Sequence, residues 1–188
     1  MKAKEIESFE DYKNWKLLEK SNLTLEQIFI FCSWCANRIY NLCKEEVKVD
    51  LSEEEINQVK SILQQLRYSA EKLEILPKSQ AEQFTKKLDE LGKKDEEGAL
   101  EVEAETLKVF LCIWDVLDYC TDNNFAFACS ASENIVNLID FRLGGILGYE
   151  LENMFTFEEL KSELLLQERV VEYLKNNENL KAIWDLTI

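Results

Sequence analysis

Apolar positions recur in steps of three and four along most of the chain. From Ile56 they run through Val59, Leu63, Leu66, Ala70 and Leu73, with Glu, Gln and Lys between them. That spacing places the apolar residues on one face of a 3.6-residue helix. Ala81, Phe84, Leu88 and Leu91 repeat the pattern in a shorter element. Other stretches are apolar on nearly every side: Ile28 to Cys35, Val109 to Leu117, and Phe125 to Ala131 continuing through Ile135, Val136, Leu138 and Ile139. Helices of that kind lie at the centre of a domain.

Start signals sharpen the boundaries. A Ser or Thr followed three residues later by Glu or Gln allows the two side chains to satisfy free N–H groups at a helix start. Thr24–Gln27, Ser52–Glu55, Ser79–Glu82 and Thr156–Glu159 fit this form, and Ser8–Asp11 is a weaker variant. Helices are predicted over 9–20, 25–46, 53–75, 80–91, 96–121, 124–143, 157–176 and 178–186. Pro77 is expected to stop the third, since proline lacks the N–H that a helix interior uses. Gly144 and Gly145 read as a helix stop, and 92–98 as a charged connector. The fold class expected is all-α: one antiparallel bundle of seven or eight helices spanning residues 1–188.

Composition supports that reading. The 188 residues include 5 Gly and 1 Pro, too few for the frequent turns of a sheet protein. A hydrophobic share of 46% supplies a core. No apolar run approaches the roughly 18 residues that read as a membrane-spanning helix, and the N-terminus has no signal-peptide pattern, so a soluble cytoplasmic protein is expected. The six cysteines then read as reduced. Cys32, Cys35, Ile39 and Cys43 form one buried stripe, and Cys112, Val116 and Cys120 another. Core packing is the stronger reading of Cys32-Ser-Trp-Cys35.

Candidate chemistry is sparse. The chain has no His, which removes imidazole bases, Ser/His and Cys/His pairs, and Glu-x-x-His metal sets. No glycine-rich phosphate loop occurs. Asp115, Asp118 and Asp122 share one helix face, and Glu133 and Asp140 could oppose them as in Mg²⁺-dependent helical hydrolases. Only Arg142 lies near to grip phosphate, however, and a solvated helix face explains the aspartates more simply. We therefore expect no catalytic residues, no metal and no cofactor.

Charge is the most unusual feature. The net charge is −15; residues 1–94 hold 16 basic and 17 acidic side chains, whereas residues 95–188 hold 6 and 20. Such a field repels nucleic acid and anionic membranes and favours a basic partner. The candidate contact acids are Asp95, Glu96 and Glu97 in the connector, Glu150 and Glu152 before the seventh helix, and Glu158, Glu159 and Glu163 at its start.

Two segments carry a family resemblance. Phe31-Cys-Ser-Trp-Cys-Ala-Asn-Arg38-Ile-Tyr40-Asn41 is similar to an early helix of the YjaG-like family of bacterial all-helical proteins, a domain of unknown function. Glu159-Leu-Lys-Ser-Glu163-Leu-Leu-Leu-Gln167, followed by Val170, Val171 and Leu174, resembles its late Glu-x-x-x-Gln helix. The family's Glu before Arg38 is Asn37 here, and its Pro before Asn41 is missing. The resemblance implies a helical fold and no activity. In size, acidity and lack of catalytic residues the chain also resembles bacterial immunity proteins. Three expectations follow: a non-enzymatic binder that neutralises a basic partner such as a toxin nuclease domain; a YjaG-like housekeeping protein, with homodimerisation open; or a carboxylate-metal hydrolase.

Overall fold

The computed structural model describes residues 2–15, 17–19, 21–91, 102–147, 151–176 and 180–186. Nine α-helices and two short 3-10 turns make up the regular structure among these residues, and no strand occurs there. The helices are α1 (Phe9–Trp15), α2 (Leu25–Leu42), α3 (Lys44–Asp50), α4 (Glu53–Glu71), α5 (Lys78–Glu90), α6 (Ala104–Asp122), α7 (Phe125–Leu147), α8 (Glu158–Lys175) and α9 (Leu180–Asp185). The all-α class read from periodicity holds. No helix among the described residues is long and apolar enough to cross a membrane.

The chain divides into two compact units. One is contiguous, Leu25–Asn134, and the other joins Met1–Thr24 to Ile135–Ile188. By sequence, the contiguous unit holds 12 basic against 22 acidic residues, net −10, and the other 10 against 15, net −5. The larger acid surplus therefore belongs to the unit built from the middle of the chain.

In the contiguous unit, α2 packs against α6 and α4, and α6 packs in turn against α5. Nine successive residues of α2, Ile28 to Ala36, are buried, as a central helix requires. Phe29, Phe31, Trp34 and Ile39 of α2 and Phe110, Ile113, Leu117 and Tyr119 of α6 are all fully buried. The Tyr119 hydroxyl donates to the Leu25 carbonyl at 3.0 Å, joining the end of α6 to the start of α2, so the two run antiparallel.

Several boundaries differ from expectation, each for a local reason. The helix expected over 25–46 reaches Asp50 but breaks at Cys43, where ψ is 19°. Cys43, Val47 and Leu51 nevertheless stay buried along the continuing stripe. The Ser52–Glu55 box forms fully: Ser52 Oγ accepts from the Glu55 N–H at 3.3 Å and Glu55 Oε2 from the Ser52 N–H at 2.8 Å. Helix α4 ends well before Pro77. Leu73 takes φ 59°, its N–H donates to Ala70 O, and the Glu74 N–H donates to Ser69 O. That is a Schellman closure with leucine where glycine is usual. Leu73 consequently leaves the stripe and lies half exposed. Pro77 starts α5 instead of stopping α4, with its carbonyl accepting from Gln80 and Ala81, so the box expected at Ser79 is not the cap. Phe157, not Thr156, is likewise the N-cap of α8. Helix α7 continues through Gly144 and Gly145, a tolerated cost of about 1 kcal/mol per glycine.

The second unit has its own core. Ala3, Ile6, Trp15, Val136, Met154, Phe155, Leu160 and Leu164 cluster, with Tyr12 packed beside them. The Tyr12 ring lies 5.7 Å from that of Phe155 and 6.2 Å from that of Trp15. The Ala3 N–H donates to Glu168 Oε1 at 3.3 Å, tying the N-terminal 3-10 turn (Ala3–Glu5) to α8.

Candidate functional site

Glu158 and Glu159 lie exposed in the first turn of α8, as expected, where the helix dipole favours negative charge. Glu163 is a correction. It was expected among the exposed contact acids and is instead 2% exposed, accepting from Gln167 Nε2 at 3.3 Å. The reason is positional: Leu160, Glu163, Leu164, Gln167, Val170, Val171 and Leu174 form the buried stripe of α8. Its register was readable from the flanking leucines and valines. Asp95, Glu96, Glu97 and Glu150 fall outside the described residues, as does the 92–98 connector. Glu152 belongs to the 3-10 turn Leu151–Thr156, and its side chain is not among those described.

A different acidic group is assembled in the contiguous unit. Asp115, Asp118 and Asp122 occupy one face of α6. Asp89 on α5 acts electrostatically on Asp118, and Glu133 on α7 acts on Asp115. Burial is the main influence on Asp118, raising its carboxyl above the usual range, and the charges of Asp122 and Asp89 push it further up. Glu133 is also raised, by desolvation. No Lys or Arg among the described residues closes an ion pair with any of these five acids.

Asp115 holds the most defined place. It is half-buried between α6 and α7, and its Oδ2 accepts from Asn134 Nδ2 at 2.7 Å. Ser130, one turn earlier on α7, bonds the same carboxyl. Burial pushes its pKa up to about 6; the Ser130 bond opposes this, the Asp118 charge adds to it, the Asn134 bond opposes it and Glu133 adds a little more. The solvated-face reading thus fits exposed Asp122 better than Asp115. Short polar partners at 130 and 134, four apart on α7, were the sequence signal for that placement.

The carboxylates do not converge on one point. No three Cys, Asp or Glu side chains among the described residues are grouped so as to hold one metal ion. Asp140 belongs to the other unit. All six cysteines are free thiols, five buried and Cys129 half-buried. Burial drives the Cys32 and Cys112 thiols well up and Cys120 to about 12, so these three are protonated and poorly nucleophilic at neutral pH. No family model, curated protein or solved structure matches the chain.

Proposed function

We propose that this chain is a non-enzymatic binding protein that engages a basic protein partner through its acidic surface, in the manner of a bacterial immunity protein blocking a nuclease toxin. One observation carries the reading: Asp89, Asp115, Asp118, Asp122 and Glu133 form a repelling group across α5, α6 and α7 with no ion pair among the described residues. Lys or Arg side chains of a partner would relieve that repulsion. Nuclease domains carry basic phosphate-binding surfaces, and an acidic protein surface is their electrostatic complement. On the other unit, Glu158 and Glu159 are exposed acids in the first turn of α8.

The test is capture of the partner from the native cell, followed by affinity measurements on the purified pair. The captured protein should be basic, and its association should slow steeply as salt shortens the screening length to about 8 Å and below. Reversing Asp118 and Asp122 to Lys, and separately Glu158 and Glu159, should keep the helical spectrum, and at least one pair should slow association strongly. For the immunity reading, the captured partner must be a nuclease that the chain inhibits. A partner whose affinity ignores both reversals and salt refutes the acidic-surface mechanism. A YjaG-like housekeeping protein, acidic only for solubility, would give that negative result.

A further inference from the structure

We draw no further inference here: the strongest candidate, the outer stripe of α6 where the exposed Leu111 precedes Asp115 and Asp118, belongs to the acidic surface already described, and nothing in the structure shows what covers it.

Discussion

Replacing Trp34 by Phe should cost far less than replacing it by Ala, because the phenyl ring still fills most of the site and the indole N–H that is lost has no acceptor among the described residues. Trp34 is fully buried in α2, stacked at 6.0 Å from the Phe31 ring, and its Nε1 finds no hydrogen-bond partner among the described residues. Truncation to Ala removes the whole indole from the core, an expected loss of about 3–5 kcal/mol. Truncation to Phe removes only part of the ring, on the order of 2 kcal/mol at about 0.8 kcal/mol per buried carbon. It also removes a donor whose burial without a partner costs about 1–3 kcal/mol. The two contributions nearly cancel, so Trp34→Phe should lie within about 1 kcal/mol of the wild type. Urea unfolding followed by circular dichroism, with hydrogen exchange at the α2 amides as a local check, resolves the two variants. A Phe variant as unstable as the Ala variant would refute the reasoning, because the N–H would then have to be satisfied.

Ser52→Ala should destabilise by about 1 kcal/mol, since the reciprocal bonds with Glu55 close the start of α4; thermal unfolding reads the change. Cys129, half-buried, should react first with a thiol reagent under native conditions, while the five buried cysteines wait for unfolding; peptide mapping after timed labelling checks the order.

Helix class and most element positions were legible because apolar periodicity survives local detail. The α4 and α5 stripes fell where spacing put them, apart from Leu73. Caps were less legible. Ser52–Glu55 and Ser79–Glu82 are alike in sequence, yet only the first starts a helix, because the Pro77 carbonyl already begins α5 two residues before the second could act. Leu73 defeats a rule that looks for glycine at a left-handed closure. Glu163 shows that residue type misled where register would have served: an acid counted as surface by its charge lies on the stripe that its neighbours define. The Asp115 bonds to α7 needed the pairing of two helices, which periodicity within each helix does not specify.

The division of the chain has a consequence for how it becomes structured. Residues 25–134 are contiguous, whereas the other unit needs its first 24 residues and everything from Ile135 onward. The Ala3–Glu168 bond closes across 165 residues, an extreme sequence separation for one contact. Such distant pairings come late, because loop-closure entropy must be overcome before they reward the chain. During synthesis the segment that carries Ala3, Ile6 and Trp15 emerges before α8 and must wait, those surfaces uncovered, until α8 leaves the ribosome. Leu160 and Leu164 of α8 thus complete a core that Ala3, Ile6 and Trp15 begin. A stall or truncation before Leu160 should release a chain whose middle is organised and whose two ends both expose apolar surface to chaperones and proteases.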